Sequence, residues 1–348
     1  MTFQKTYDII KSENNRTFKG EEWTMCKLKS AIILKDRIFM PDYDSHSKML
    51  EELGITDDYI NASKVFVRAE LSPADGDIFS NIDSWEFSVD QDITPEWFDE
   101  KDCTERMRNT VKEWAKTHIF IGKNELKISH GENIFIKDCK NVDICDSATV
   151  EHIYGDATVK NICGDATVKN ICGDATVEYI RDNATVKYIY GNATVENIFD
   201  NVTVENIFDN VTVENICDNA TANNIYGNVT VKYIYGNVTV KYIYGKATVK
   251  NICDNATVES IYDNATVKNI YDNAKVESIC GKATVENIYG EATVEYIRGK
   301  ATIISSSYSK WNNSTSMVID DNATFKDCYS KTIYQAGEWE FVKVTRGK

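Results

Sequence analysis

From Asp146 to Ile304 one nine-residue unit recurs without a slip in register: Gly or Asp, a polar residue, Ala or Val, Thr, Val, Lys or Glu, a polar residue or Tyr, Ile, and usually Tyr, Cys or Phe. Thr fills 17 of the 18 positions spaced by nine from Thr149 to Thr302, Lys275 being the exception, and Ile fills all 17 from Ile153 to Ile297. A short period this strict restricts the chain to a solenoid, in which each unit buries its apolar face only against its neighbours. In the unit Gly191-Asn192-Ala193-Thr194-Val195-Glu196-Asn197-Ile198-Phe199, Ala193 and Val195 lie two apart, so a strand turns both to one side and leaves Thr194 and Glu196 on the other. A bend near Asn197 returns Ile198 to the inside, and Gly191-Asn192 supplies a positive-φ turn. Nine residues are too few to enclose a core, so two units per coil is the preferred count, with three as the alternative.

The fold class expected is therefore mainly β: a β-solenoid (β-helix) of nine-residue repeats, with a small α+β domain before it and a cap after it. Residues 1–118 form the N-terminal α+β domain, and 119–145 are degenerate first rungs that keep Ile134, Ile136 and Ile144 inward. Residues 146–304 are the solenoid. Residues 305–348 are the C-terminal cap, with one off-phase unit at Asn322-Ala323-Thr324-Phe325 and a final strand over Trp339-Glu340-Phe341-Val342-Lys343-Val344. A cap is needed because a solenoid end exposes strand edges that invite polymerisation.

In the N-terminal region the segments around Lys64-Val65-Phe66-Val67-Arg68-Ala69-Glu70-Leu71 and Trp85-Glu86-Phe87-Ser88-Val89 alternate like paired strands across the turn at Pro73-Ala74-Asp75-Gly76-Asp77. Thr94-Pro95-Glu96 reads as a helix start, with Met107, Val111, Trp114 and His118 following on one face. The run Val89-Asp90-Gln91-Asp92-Ile93-Thr94-Pro95-Glu96-Trp97-Phe98, followed by a Trp-bearing helix and Asn-Ala-Thr-Val repeats, resembles the leader domain of bacterial and phage nonapeptide-repeat β-solenoid proteins. The resemblance covers most of the chain. It implies the architecture and a prokaryotic or viral source, and brings no activity to any residue.

The charge balance narrows the function. A net charge of −15 over 348 residues, with a pI near 4.8, argues against binding nucleic acid directly or an anionic membrane, which needs clustered Lys and Arg. No segment approaches the roughly 20 apolar residues of a membrane span, and Met1-Thr2-Phe3-Gln4-Lys5-Thr6-Tyr7-Asp8 leads into no signal-like apolar run, so the expected location is cytoplasmic. Between Glu70 and Glu105 lie 12 acidic residues and one basic residue, Lys101. Asp75, Asp77, Asp90 and Asp92 are the candidates within this acidic patch to gather a cation; a solvated face with turn and cap aspartates is the preferred account of them, and a dock for a basic protein is the better functional reading.

No cofactor and no catalytic set are expected. His46, His118, His130 and His152 are scattered, and Cys163, Cys172, Cys217, Cys253 and Cys280 share one repeat slot with Tyr and Phe, as packing residues do. The Asp-Asn turns lack the Gly-Gly-x-Gly-x-Asp pattern of calcium-loaded rolls. The Thr rows lie two residues from Lys or Glu, which spoils an ice-binding plane. DNA mimicry by the rod is weakened by magnitude: 21 acidic against 13 basic side chains in residues 146–304 give −8, about one charge per 5 Å against one per ~1.7 Å in duplex DNA.

The function expected is binding: a rigid scaffold that self-associates, or alternatively a phage or mobile-element decoy for a basic host protein. The row Lys169, Lys187, Glu205, Asn223, Lys241, Glu259 and Glu277 is complementary to its own reverse, pairing Glu205 with Lys241, Lys187 with Glu259 and Lys169 with Glu277 about Asn223. Glu151 and Glu295 at its ends clash. The opposite row, from Lys160 to Glu286, behaves similarly. An aromatic stripe, Tyr190, Phe208, Tyr226, Tyr244 and Tyr262, is read as outward on the first face and selects it for an antiparallel homodimer.

Overall fold

The computed structural model describes residues 29–305, 318–319, 322–327, 332–336 and 341–345. The segments Met1–Asp8 and Trp339-Glu340 lie outside the described residues. The chain divides into two compact units, Met1–Thr117 and His118–Lys348.

The first unit is built on a four-stranded antiparallel sheet in the order Ile38–Phe39, Lys29–Leu34, Phe66–Ser72, Glu86–Val89. Every residue of Lys29–Leu34 is buried. The expected pairing of the segments around Phe66 and Phe87 is present, with Leu71 opposite Phe87. The long helix is Glu100–His118, and it buries Cys103, Met107, Val111 and Trp114 at helical spacing. Its start corrects the sequence expectation. Pro95 opens only a turn, closed by the Phe98 N–H on the Pro95 carbonyl at 2.9 Å, and Asp99 supplies the cap, its carboxylate accepting the Asp102 N–H at 2.8 Å. Arg106 then donates to the Leu34 carbonyl at 3.0 Å, tying the helix to the sheet.

The second unit is a two-sheet β-solenoid. Five-residue strands alternate between a 14-stranded and a 12-stranded sheet, and each pairs in parallel with the strand two units away: Thr194 with Thr212, Val195 with Val213, Ile198 with Ile216. The offset of 18 residues fixes two repeats per coil. The degenerate segment supplies coils of the same stack, with Ile136 opposite Ile153 and Ile144 opposite Ile162. Inside, the Ala or Val, Val and Ile columns form one continuous core; Ala193, Val195 and Ile198 are at most 1% exposed. Val195 and Ile198 lie three apart yet both point inward, which requires the bend between them.

The turn letter is set by conformation. Gly191 has φ +73° and Asp200 φ +58°, the left-handed region that Gly adopts freely and Asp tolerates. Asp also does something Gly cannot: the Asp200 carboxylate accepts the Asp182 N–H at 3.1 Å, and the Asp182 carboxylate accepts the Gly164 N–H at 3.0 Å, each one coil earlier. Beside these turns the Asn side chains form a ladder, Asn201 to Asn183 at 3.3 Å and Asn219 to Asn201 at 3.4 Å. Beyond Thr302–Ser305 the 14-stranded sheet adds Thr324–Asp327 in parallel, then Thr332–Ala336 and Phe341–Thr345 antiparallel.

Candidate interaction surface

The outward face of the 12-stranded sheet carries three columns, each with one residue per coil. The first is Thr, the second is charged, and the third holds Asn170, Tyr188, Asn206, Asn224, Tyr242, Ser260 and Ser278. In the charged column Lys169, Lys187, Lys241 and Glu277 are exposed, and Glu205, Asn223 and Glu259 are half-buried. Glu151, expected outside, is instead 3% exposed, with Lys169 Nζ 2.7 Å from its carboxylate. That ion pair joins adjacent coils, as Lys232 and Glu214 do at 2.9 Å on the other sheet. At these two sign changes neighbouring coils neutralise each other.

The aromatic stripe is a second correction. Tyr190, Phe208, Tyr226, Tyr244 and Tyr262 occupy the corner after each inward Ile, and their rings stack flat along the rod with centroids 5.2, 5.1, 4.8 and 4.9 Å apart. The spacing is that of the coils, so each ring covers the faces of the next. Phe208, Tyr244 and Tyr262 are buried, and Tyr190 and Tyr226 are half-buried. Strand alternation assigns the residue after Ile to the outside, but the corner rotates the chain there and lays the ring along the stack. Burial holds the hydroxyls of Tyr190, Tyr226, Tyr244 and Tyr262 well above the ordinary tyrosine range. The aromatics that do stand on the sheet face include Tyr188, Tyr242 and Tyr296, all half-buried, with Lys187 Nζ 5.3 Å from the centre of the Tyr188 ring.

The cysteines of the corner slot are likewise buried. Burial pushes the thiols of Cys172 and Cys280 up to about 11, which disfavours the thiolate that a nucleophile or a metal ligand requires.

In the N-terminal unit the four aspartates of the acidic patch are not gathered. Asp75 accepts the Asp77 N–H at 3.0 Å and Asp77 the Phe79 N–H at 2.9 Å, so both shape the turn. Asp90 lies 3.2 Å from His46 Nδ1, whose Nε2 meets the Ala69 carbonyl at 3.2 Å. Among the described residues the side chains close enough to share a metal ion are His46, Glu70 and Asp90, and Cys253, Asp254 and Asp272. Asp90 and Asp92 line a depression of about 640 Å³ with Asp57, Asp58, Tyr59 and Arg68. Tyr59 and its neighbour Ile60 are 72% and 64% exposed.

Sequence reasoning missed Gln91. Its Oε1 accepts the Arg68 N–H at 2.8 Å, while its Nε2 meets the carbonyls of Phe66 at 3.2 Å and Ile93 at 2.5 Å. Trp97 adds a bond to the Lys64 carbonyl at 2.9 Å. The Val-Asp-Gln-Asp run thus clamps a strand edge; a Gln between two Asp in a polar stretch gave no signal of it.

Comparisons of the chain with protein-family models, with curated proteins and with solved structures find no match. Among the described residues no helix is long and apolar enough to cross a membrane.

Proposed function

We propose that the protein is a non-catalytic scaffold that binds through the broad face of its solenoid, and that its first partner is a second copy of itself. The observation that carries this reading is the charged column of the 12-stranded sheet, complementary to its own reverse about Asn223. A two-fold axis along the strand direction reverses the rod while keeping each column opposite itself. Charges then meet charges: Glu205 faces Lys241, Lys187 faces Glu259 and Lys169 faces Glu277. The third column fits the same register at two of its pairs, since Tyr242 faces Asn206 and Tyr188 faces the buried Ser260, a long side chain against a short one, while Tyr296 faces His152. Burial of Glu151 against Lys169 removes the expected clash with Glu295 and leaves Lys169 shared. Such a contact is isologous and closed.

Light scattering at low salt is expected to give a dimer that weakens as salt rises, because rim charge pairs are screened. Lys241→Glu is expected to give a monomer, and adding Glu205→Lys in the same chain to restore the dimer. A monomer at micromolar concentration and low salt removes the proposal.

A second reading, a decoy for a basic protein, is favoured by the depression beside Tyr59. Its carboxylates Asp57, Asp58, Asp90 and Asp92 adjoin an exposed aromatic and aliphatic pair, a combination suited to Lys and Arg side chains. Binding of a basic host protein that Asp90→Asn with Asp92→Asn abolishes, while the dimer persists, would put this face ahead of the other.

A further inference from the structure

We propose that Cys145 and Cys163 are a redox pair that closes into a reversible disulfide, stapling two successive coils near the start of the rod. Their placement follows from register. Ile144 lies opposite Ile162, and the Cys163 N–H bonds to the Ile144 carbonyl at 2.8 Å, so the residues that follow share one corner column one coil apart. Parallel neighbours are spaced about 4.8 Å, inside the ~4.4–6.8 Å between α-carbons that a disulfide spans. The two sulfurs are 2.9 Å apart, and Cys163 is the donor.

The other corner cysteines serve as controls built into the fold. One coil away on either side, Cys172 has Tyr154 and Tyr190, Cys217 has Phe199 and Tyr235, Cys253 has Tyr235 and Tyr271, and Cys280 has Tyr262 and Arg298. Each is held between side chains that cannot form a disulfide with it.

The pair is also asymmetric. Cys145 is half-buried and within reach of a small reagent, whereas Cys163 is buried. Burial, and then its hydrogen bond to Cys145, push the Cys163 thiol up to about 12. Cys145 is therefore the attacking thiol and Cys163 the resolving one. The oxidant is a low-molecular-weight disulfide of the glutathione type. Cys145 Sγ, having lost its proton, attacks one sulfur of that disulfide; the S–S bond breaks and the first small thiol leaves, taking a proton. Cys163 then loses its proton and attacks Cys145 Sγ, breaking the mixed disulfide and releasing the second small thiol. The cysteine pair gives up two electrons and two protons, and the small disulfide takes them. Arg181, in the same column one coil beyond Cys163, favours the thiolate of the second step.

The full-length protein, incubated with oxidised glutathione, blocked with N-ethylmaleimide and cleaved with trypsin, tests this directly. Peptides 141–160 and 161–169 each contain one cysteine of the pair. They are expected linked in the oxidised sample and separate after reduction, with two fewer maleimide tags on the oxidised protein. Cys163→Ser is expected to retain glutathione on Cys145, because nothing resolves it. Cys145→Ser is expected to lose both the link and the fast adduct, and circular dichroism unchanged in both variants shows that the coil remains folded. Absence of the link at equilibrium in the wild type, or equal glutathione on Cys145 in wild type and Cys163→Ser, overturns the proposal.

Discussion

Replacing Ile207 with Asp probes the physical basis of the rod at its weakest assumption, that each coil is held only by its neighbours. Ile207 is 0% exposed and stacks in one column between Ile189 and Ile225. Burial of such a side chain contributes about 1.5–3 kcal/mol, and the truncated site adds a cavity that raises losses of this kind to about 2–5 kcal/mol. A carboxyl in the same column finds no partner in the Ala, Val and Ile core, so its desolvation brings the total to roughly 5 kcal/mol or more. For a unit of this size a loss of ~1 kcal/mol lowers the midpoint by about 2–4 °C, so the expected drop is roughly 10–20 °C. The damage should be local, because solenoid stability is a sum of nearest-neighbour terms. Hydrogen exchange should therefore show lost protection in the strands Thr185–Ile189, Thr203–Ile207 and Thr221–Ile225, with the strands around Val276 unchanged. Glu205→Gln, two residues away on the outward face, is expected to stay within ~0.5 kcal/mol of wild type. A variant Ile207→Asp that melts within about 1 °C of wild type, with an unchanged exchange pattern, would refute the assignment of the inward columns.

Asp200→Ala removes the acceptor of the Asp182 N–H and leaves a Cβ at φ +58°, so a loss of about 1–2 kcal/mol is expected by urea unfolding; Asp200→Gly, which relieves the backbone while losing the same bond, should cost less. The tyrosine stack sets an alkaline limit. The folded hydroxyls of Tyr226, Tyr244 and Tyr262 titrate above the ordinary value of 10.0, so the stability they contribute is fully present below that pH and is lost as pH rises beyond it through their raised folded values. Circular dichroism should follow unfolding into alkali, and the triple variant Tyr226→Phe, Tyr244→Phe, Tyr262→Phe should move the midpoint upward; an unmoved midpoint would contradict the assigned burial.

The solenoid was legible because its physics is written once per unit: the Val and Ile columns, the bend between them and the Gly or Asp turn all recur at one spacing. The number of units per coil was only a preference, since closure depends on corner geometry that no single unit records. The same gap explains the aromatic stripe. Alternation places a residue correctly along a strand, but Tyr226 and Tyr244 follow the strand's last inward Ile, where the turn decides the direction. In the N-terminal unit Thr94-Pro95 and Asp99 carry equally good helix-start letters, and tertiary contacts chose Asp99. Lys29–Leu34 is covered on both faces, so it lacks the alternation that exposes a strand to sequence reading. The acidic patch was legible only in part: Asp75 and Asp77 answer local backbone N–H groups, as turn aspartates do, and proximity in sequence says nothing about whether Asp90 joins them.

The ends of the rod bear on which surface is left for a partner. A stack of identical parallel strands presents the same unpaired hydrogen-bonding groups at every level, so an uncapped end is a template for the next chain. In the 14-stranded sheet this template is broken where Thr332–Ala336 runs antiparallel to Thr324–Asp327, and Phe341–Thr345 runs antiparallel in turn. Parallel hydrogen bonds are evenly spaced, whereas antiparallel ones alternate between close and wide pairs. A further 18-residue coil thus meets an edge of the wrong spacing and direction. The 12-stranded sheet ends, among the described residues, on the two-residue strand Val318–Ile319, too short to guide an added strand. Growth along the axis is therefore opposed on both sheets at this end, while the lateral columns continue for many coils, interrupted on the 12-stranded sheet by Lys275 among the Thr and Asn223 among the charges. Association through the face also stops by itself, since a two-fold contact uses the same columns on both copies. With growth along the axis opposed at this end, the sides remain for association, and on both sheets the charged column matches its own reverse about the same centre, Glu205 with Lys241 on the 12-stranded sheet and Glu214 with Lys232 on the other.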